Sequence, residues 1–158
     1  MPTTNFTNRN KFKVLVSFPD TKNFEFFAKG ITFAGMNIGT YIRPTAVYNR
    51  QLPGDSFNAD TAVIDFYIDE NWQAFKEIFR WVKRLKSTKD IRQDVNAMAD
   101  ITVIIMNNKY HEIFSIKMID AWPNSITSIN LDTDDDISVL LGQAIFVVND
   151  YDIIDQKP

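Results

Sequence analysis

The most regular stretch of the chain is a strand that leads directly into an amphipathic helix. Four apolar residues alternate with mixed neighbours in the two-residue period of a half-buried strand: Ala62, Ile64, Phe66 and Ile68. The period then lengthens to three and four residues, which predicts a helix with one apolar face: Trp72, Phe75, Ile78, Phe79, Val82 and Leu85. Asp69 precedes this helix and can cap its free amides, while basic residues occupy its last turns. We therefore expect one long helix packed on a sheet.

Most of the remaining chain shows the alternation of β-strands. Two hairpins are predicted, the first with a longer loop: Phe12–Phe18 with Asn23–Ile31, and Ile101–Met106 with Tyr110–Ala121. Trp122-Pro123-Asn124 should end the last of these strands, because proline cannot donate to a sheet ladder. Two final strands and a short second helix complete the prediction: Ile126–Leu131, Ile137–Tyr151 and Ile91–Met98. The pattern indicates a mainly β fold, an antiparallel, Greek-key-like sandwich or open barrel with one flanking α-helix.

Thr32 to Asp60 is the least regular segment. It contains three glycines and two prolines, and only short strands are predicted, at Asn37–Ile42 and Thr45–Tyr48. Connections of this length are uncommon unless they serve a function. The segment carries apolar groups that need cover: Tyr41, Tyr48, Leu52 and Phe57. We expect this long loop, residues 32–60, to dock on a neighbouring subunit. No linker or repeat divides the chain, so residues 1–158 are predicted to form one domain with a polar N-terminal arm at 1–10.

Composition narrows the class of protein. The chain has 158 residues, of which 45% are hydrophobic and 23% are charged, so a globular domain with a substantial core is expected. The absence of cysteine excludes disulfides and thiolate chemistry. A net charge of -3 argues against a tight nucleic-acid binder, and no apolar run reaches the length of a membrane-spanning helix. The N-terminus is polar and lacks the hydrophobic core of a signal peptide.

The charges are unevenly distributed. Seven of the seventeen basic residues lie between Lys76 and Arg92. Aspartates cluster near the C-terminus: Asp132, Asp134, Asp135, Asp136, Asp150, Asp152 and Asp155. One interpretation is an ordinary solvated surface; the other is that patches of opposite sign steer copies of the chain onto each other.

No residue pattern indicates catalysis or a bound cofactor. His111 is the only histidine and lies next to a predicted turn, so it is expected to be a surface residue. The aspartate run from Asp132 resembles the start of a calcium loop, but Ile137 and Gln143 stand where that loop needs glycine and glutamate. Asp65 and Asp69 are explained by their strand and cap positions. No phosphate loop, nucleophile elbow or zinc helix is present in the sequence. We predict no enzymatic activity, no metal and no cofactor.

Several segments, taken in order, resemble one family. They are Asn23–Lys29, the loop from Tyr48 to Phe57 with its Asn-Arg and Gly-Asp pairs, the strand-to-helix run from Ala62 to Trp81, Asp120–Asn124 with its Trp-Pro turn, and Ile129–Asp132 followed by the final strand to Asp152. Together they make the chain similar to the tail tube proteins of contractile-tailed, T-even-type bacteriophages over most of residues 11–154. The segment Ser87–Ala99 departs from that pattern.

The resemblance implies a structural virion protein that is assembled in the host cytoplasm. Subunits of this family form hexameric rings whose sheets join into an inner barrel, and the rings stack into the tail tube through which the genome is delivered. It implies these partners: copies of the chain itself, the tail sheath protein, baseplate tube-initiator proteins, the tape measure protein, and DNA that passes without specific binding. The helix would present its basic side to the sheath, and no membrane is involved.

Residue roles follow from combining the resemblance with the pattern. The predicted subunit-contact residues lie in the long loop: Tyr41, Arg43, Tyr48, Arg50, Leu52, Asp55 and Phe57. The predicted lumen residues are polar positions on otherwise apolar strands: Asp65, Lys117 and Gln143.

Two alternatives remain open from the sequence. The first is a specialised ring of the same fold, namely a baseplate tube initiator, a tail-end cap or a type VI-like secretion tube subunit. The second is a small ligand-binding β-barrel, which would need a closed apolar cavity and would stay monomeric.

Overall fold

The computed structural model describes residues 9–87, 97–133 and 138–155. Within these ranges the chain forms nine strands and two α-helices: β1 (Phe12–Val16), α1 (Lys22–Phe27), β2 (Ala28–Thr32), β3 (Met36–Pro44), β4 (Asn49–Ala59), β5 (Thr61–Tyr67), α2 (Gln73–Ser87), β6 (Ala99–Met106), β7 (Glu112–Ile126), β8 (Leu141–Val147) and β9 (Asp150–Asp155). All the described strand pairs are antiparallel. The predicted fold class, mainly β with a flanking helix, is confirmed.

Seven strands form one curled sheet. Its order is β1-β6-β7-β8-β5-β2, and β9 also pairs with β7. Strands β8 and β9 follow each other along the same partner: β9 pairs with Phe114–Ile119, and β8 pairs with Trp122–Ile126. The other two strands, β3 and β4, pair only with each other. The seven strands therefore surround one core, while the β3–β4 hairpin pairs with none of them.

The Trp-Pro segment does not end its strand as predicted. Strand β7 continues through Trp122 and Pro123 to Ile126, with a register shift between Pro123 and Ser125. A bulge is one of the few places where a sheet accepts proline, because no ladder amide is needed there. Asp120, just before, has a positive φ of 51°. The strand turns at this point from its pairing with β6 and β9 to its pairing with β8.

The core lies between the two halves of the curled sheet. Its alternating residues on β5 are fully buried as predicted, with Ala62, Ile64 and Phe66 at 0% exposure. Val14, Val103 and Met118 contribute from β1, β6 and β7, while Ile64, Phe66 and Ala144 contribute from β5 and β8. Phe24 packs edge-on against Phe66 with ring centroids 5.2 Å apart. Aromatic side chains thus fill the space that the sheet encloses.

Helix α2 begins at Gln73, later than the cap residue suggested. Asp69 nevertheless has the predicted role, since its carboxylate accepts hydrogen bonds from the Gln73 amide at 2.8 Å and the Asn71 amide at 3.2 Å. The buried face is centred on Ala74, Ile78 and Trp81, whereas Phe79 is 46% exposed. The predicted apolar stripe is therefore rotated. Trp81 is fully buried, stacks on Phe18 at 4.3 Å and donates from Nε1 to the Ala97 carbonyl at 2.8 Å.

The predicted strand Asn23–Ile31 is wrong over its first half. Lys22–Phe27 is a short helix, and only Ala28–Thr32 is a strand. The helix forms because Phe24 inserts into the core while Glu77 of α2 accepts hydrogen bonds from Asn23 Nδ2 at 2.6 Å and the Phe24 amide at 2.8 Å. The predicted pairing of the first two strands is also wrong, since β1 pairs with β6 and β2 pairs with β5.

The segment 32–60, predicted as an irregular loop, is mostly a regular hairpin. Apolar alternation is limited to Met36, Ile38 and Ile42 of β3, because neither face of the ribbon is covered by the rest of the chain.

The last strands also differ from the prediction. Only Ile126 of the predicted strand Ile126–Leu131 is in a strand, and Ile137–Tyr151 is divided between β8 and β9. The predicted helix near Ile91–Met98 lies largely outside the described residues, as do residues 134–137 of the aspartate run.

Candidate assembly surface

The β3–β4 hairpin is the most exposed apolar element of the described chain. Every residue from Thr40 to Gln51 is exposed, although this stretch includes both strands and the turn. Five large side chains on it are between 53% and 63% exposed: Met36, Ile38, Tyr41, Ile42 and Tyr48. Soluble monomers rarely leave this much contiguous apolar surface in water. The hairpin is therefore the surface that most needs a partner.

Two glycines let the hairpin strands cross closely. The register shifts between Ile38 and Thr40, so that one residue of β3 opposes several of β4. A Cβ added to Gly54 would lie 2.9 Å from the Gly39 carbonyl oxygen, and a Cβ on Gly39 would meet the Ser56 side chain. Since the obstacle at Gly54 is backbone, the crossing requires glycine there. This bulge sets the direction in which the outer part of the hairpin points.

The seven predicted contact residues all lie on this hairpin. Tyr41 is opposite Leu52, and Arg43 is opposite Arg50, so these four side chains share one face of the ribbon. Tyr48 ends the turn, where its amide bonds to the Thr45 hydroxyl at 3.2 Å. The remaining two, Asp55 and Phe57, are exposed on β4, and Phe57 is opposite Ile38.

Sequence reasoning missed other exposed apolar residues of the hairpin. Met36, Ile38, Ile42 and Val47 were not predicted as contacts. Three of these four lie at alternating positions of β3, which is the signal that a strand-period search of this segment could have used.

Arg43 and Arg50 place two positive charges directly opposite each other on the hairpin. Like charges directly opposite each other on a strand pair destabilise it. Both guanidinium groups lie near the turn, on the same face as Tyr41 and Leu52. This face therefore suits a partner that supplies both apolar area and carboxylates.

Two of the three predicted lumen residues lie together on the sheet. Asp65 is opposite Gln143, and Gln143 Nε2 donates to Asp65 Oδ1 at 2.9 Å. Thr127 Oγ1 donates to Gln143 Oε1 at 3.1 Å, and Gly30 of β2 is opposite Asp65 on its other side. The neighbours of Asp65 along β5 point into the core, so this polar row lies on the outward face. We name this surface, Gly30–Asp65–Gln143–Thr127, the polar row.

The third predicted lumen residue, Lys117, lies elsewhere. Lys117 Nζ forms an ion pair with Asp100 Oδ2 at 2.7 Å on the outward face of the β6–β7 half of the sheet. The two halves pack against each other through the core, so their outward faces point in opposite directions. The Lys117 hydrogen bond is the main cause that lowers the Asp100 pKa, and the same bond raises the pKa of Lys117. Asp65 and Lys117 therefore do not belong to one surface of the chain, and the lumen role of the three residues stays a prediction.

Within the described ranges, no three His, Cys, Asp or Glu side chains are grouped so that they could hold a metal ion. His111 is exposed beside the β6–β7 turn, where its amide donates to Asn107 Oδ1 at 2.9 Å. In the same part of the chain, no helix is long and apolar enough to cross a membrane.

Solved structures with the same arrangement of strands come from contractile injection machines. A chain in the structure of the anti-feeding prophage cap, described as the tube-terminating cap, superimposes with a TM-score of 0.76 at 14% identity and covers 99% of this chain and 95% of its own length. A chain in the extended sheath–tube complex of PVC, an extracellular contractile injection system, gives 0.75 at 13% identity, with coverages of 98% and 95%. This chain has a tail-tube fold.

A more distant member of the same fold group is Hcp1 from Flavobacterium johnsoniae. It superimposes with a TM-score of 0.53 at 10% identity and covers 92% of this chain and 99% of its own length. No protein-family model and no curated protein sequence matches the chain. On this tail-tube fold, the β3–β4 hairpin and the polar row occupy two separate surfaces.

Proposed function

We propose that the chain is a structural subunit of a contractile tail, whose copies form hexameric rings that stack into the inner tail tube. The tube would be the conduit for delivering a genome into the host. The observation that carries this proposal is the β3–β4 hairpin, which is paired only with itself and exposes apolar side chains on both faces.

A hairpin of this kind needs another molecule to be stable. Isolated two-stranded ribbons are marginal in water, because one ladder buries too little apolar surface. Tyr41, Leu52 and Arg43 share a face that suits an adjacent subunit in the ring or in the next ring. Docking would cover the exposed aromatic side chains and offer carboxylate partners to the two opposed arginines. The seven contact residues predicted from sequence are thus proposed as inter-subunit contacts.

The polar row is the surface that we assign to the lumen. Its only charged residue is Asp65, and it is internally hydrogen-bonded through Gln143 and Thr127. A lining whose only charge is negative repels phosphates, so DNA would slide past it without specific binding. Lys117 would then lie on the opposite side of the subunit. We propose the other partners that the resemblance implied: the sheath, baseplate initiators and the tape measure protein.

Helix α2 is the proposed sheath-facing element. Lys76, Arg80 and Lys83 are exposed along it, next to a groove of about 410 Å³ lined by aromatic residues of the helix and by the chain after β7. Cations beside an exposed apolar groove suit a protein partner with acidic and apolar side chains. The proposed location is accordingly the virion tail, with assembly in the host cytoplasm.

A specialised ring of the same fold is the second candidate. One of the similar structures is of a tube-terminating cap and another is of a sheath–tube complex, so the fold serves both contexts. Copy number separates the two, since a tube subunit is abundant and a cap or initiator forms one ring. The higher similarity to the two phage-tail-like systems than to Hcp1 favours a sheathed tube of that type. A ligand-binding barrel is disfavoured, because fully buried aromatic side chains fill the sheet interior: Phe24, Phe66, Trp81 and Phe146.

Electron microscopy of the purified protein over a concentration series tests the proposal. We expect wild-type rings or hollow tubes, and fewer of them when Tyr41 and Phe57 are both replaced by serine. Phe26→Ser is the matched control, because Phe26 is an exposed aromatic residue of α1 that lies away from the hairpin. Wild-type protein that stays monomeric at every concentration, and also when a baseplate fraction is added as a seed, would overturn the proposal.

A further inference from the structure

The open side of the curled sheet is a groove between its two end strands. β1 and β2 are the ends of the strand order, so each has one edge that pairs with no other described strand. A groove of about 480 Å³ lies between them. Its floor is apolar and its rim is basic: Phe12, Ile31, Phe33 and Ile105 form the floor, and Arg9, Lys11 and Lys29 form the rim. We call this the seam groove.

The rim cations have no anionic partner among the described lining residues of the groove. Lys11 Nζ lies 3.3 Å from the centroid of the Tyr110 ring, and Lys29 Nζ lies 5.6 Å from that of Tyr67. These contacts hold two ammonium groups over aromatic faces without neutralising them. The seam groove therefore presents three positive charges above an apolar floor. Its chemistry suits an extended segment with carboxylates and aliphatic side chains.

Strand β9 of the same chain has that chemistry. Its sequence is Asp-Tyr-Asp-Ile-Ile-Asp, and all of its residues except Tyr151 are exposed. Ile153 is 63% exposed although it lies in a strand. Within the described chain, β9 pairs with β7 along one edge only. β9 thus carries both acidic and aliphatic side chains, and one of its edges has no described partner strand. Natural sheets usually cover or protect such an edge.

The groove cannot be filled by β9 of its own chain. β9 is held on Phe114–Ile119 of β7, and β6 lies between β7 and β1 in the sheet. The two surfaces therefore do not pair with each other within the chain, and they are complementary because their charges have opposite signs and both offer apolar side chains and unpaired strand edges. A match of this kind between different surfaces of one chain generates head-to-tail contacts, which close into a ring when the rotation allows it.

We propose that β9 of one copy lies in the seam groove of the next copy. Ile153, the more exposed of the two isoleucines, contacts the apolar floor, while Asp150 and Asp155 lie beside the basic rim. This inference rests on the proposed ring and names the surfaces that join its subunits. The apolar floor and the free strand edges favour a protein strand over a nucleic-acid backbone, which has charge but offers no aliphatic side chains or strand edge.

Charge reversal on either surface tests the pairing. The groove variant carries Arg9→Glu and Lys29→Glu and keeps Lys11, which lies over the Tyr110 ring. The edge variant carries Asp150→Lys and Asp155→Lys, leaving Asp152 beside Lys117. We expect each variant alone to need a concentration about 100-fold or more above that of wild type to form rings, because like charges then meet at the interface. An equimolar mixture should restore rings, because each reversed groove meets a reversed edge.

The controls separate this inference from the ring proposal itself. Lys22→Glu with Lys86→Glu makes the same charge change at exposed positions of the two helices and should form rings like wild type. Circular dichroism and the thermal midpoint verify that every variant is folded. Both reversed variants assembling like wild type would overturn the inference and leave the ring proposal intact, whereas wild type failing to form rings would overturn both.

Two further results would count against the pairing. If each variant is impaired and the mixture is not restored, the charges act within one subunit, for example as protection of a free edge. If the groove variant loses binding to a DNA oligonucleotide while ring formation is unchanged, the rim is a nucleic-acid site. Restoration by mixing supports the inference, because only complementary surfaces on different copies produce it.

Discussion

The curled sheet and the β3–β4 hairpin have similar residues and opposite environments. Ile64 on β5 is fully buried, while Ile38 on β3 is 63% exposed. Trp81 is fully buried against the sheet, and Tyr48 is 63% exposed at the hairpin turn. The core residues of the sheet are accounted for by contacts within the chain. Those of the hairpin are not, so their apolar character indicates contacts with another molecule.

The charged residues show the same difference. On the sheet, Asp100 is paired with Lys117 at 2.7 Å, and Asp65 accepts a hydrogen bond from Gln143 at 2.9 Å. On the hairpin, Arg43 directly opposes Arg50. A self-sufficient ribbon gains nothing from that arrangement. Substitutions of buried or paired residues of the sheet should therefore change stability, and substitutions in the hairpin should change assembly.

The largest expected effect is from Trp81→Ala. It removes a fully buried indole that stacks on Phe18 and donates to the Ala97 carbonyl. Replacing a buried tryptophan by alanine leaves a cavity and lowers the free energy of unfolding by about 3–5 kcal/mol. Urea denaturation followed by tryptophan fluorescence and circular dichroism measures the loss.

Tyr48→Ala is the matched substitution on the hairpin. Because Tyr48 is exposed, its removal should change the free energy of unfolding by only about 0.5 kcal/mol while reducing ring formation. Equal destabilisation by the two substitutions would contradict the contrast between the two regions, in which the buried core of the sheet supplies stability and the exposed hairpin supplies contacts with a partner.

A smaller effect is expected from Glu77→Ala. The Glu77 side chain is buried and accepts hydrogen bonds from Asn23 Nδ2 and the Phe24 amide, which joins α1 to α2. Its loss leaves a buried backbone donor without its acceptor, at a cost of about 2 kcal/mol of unfolding free energy. Glu70→Ala is the control, because Glu70 is exposed in the turn before α2. If the urea midpoints of the two variants agree, the hydrogen bonds of Glu77 to α1 do not stabilise the fold.

The sequence was informative wherever one face of an element is covered. Alternation on β5 and the hairpin of β6 and β7 were predictable because the core selects apolar side chains on one face only. Helix α1 was not predictable, because its formation depends on Glu77, a residue far away in the chain. The continuation of β7 through Pro123 was missed for a related reason, since the bulge depends on β8 as a partner.

The predicted contact residues share one element of the fold, and their contacts stay a prediction. All seven predicted contact residues lie on one hairpin, although the segment was expected to be irregular. Asp65 and Gln143 proved to be neighbours, which no local pattern could indicate because they are paired across strands distant in sequence. Lys117 was grouped with them because it is also a polar residue on an apolar strand. Periodicity shows which face of a strand a residue lies on. It does not show in which half of the folded sheet that strand lies.

The smallest expected effect concerns the ion pair on the sheet. The Lys117 hydrogen bond, aided by the backbone amide of Asp120, holds the Asp100 pKa below its ordinary value of 3.8. Because the folded state binds this proton more weakly than the unfolded state, the pair stabilises the fold above that pH, and the contribution is lost as pH falls through the folded pKa. Lys117→Met should therefore flatten the decline of the urea midpoint between about pH 5 and about pH 2. Both side chains are about one-third exposed, so the change should be smaller than that from Glu77→Ala. Arg43→Met on the hairpin is the control, and it should leave the acid dependence of folding unchanged. An equal change from both substitutions would show that the arginines of the hairpin also have partners within the chain.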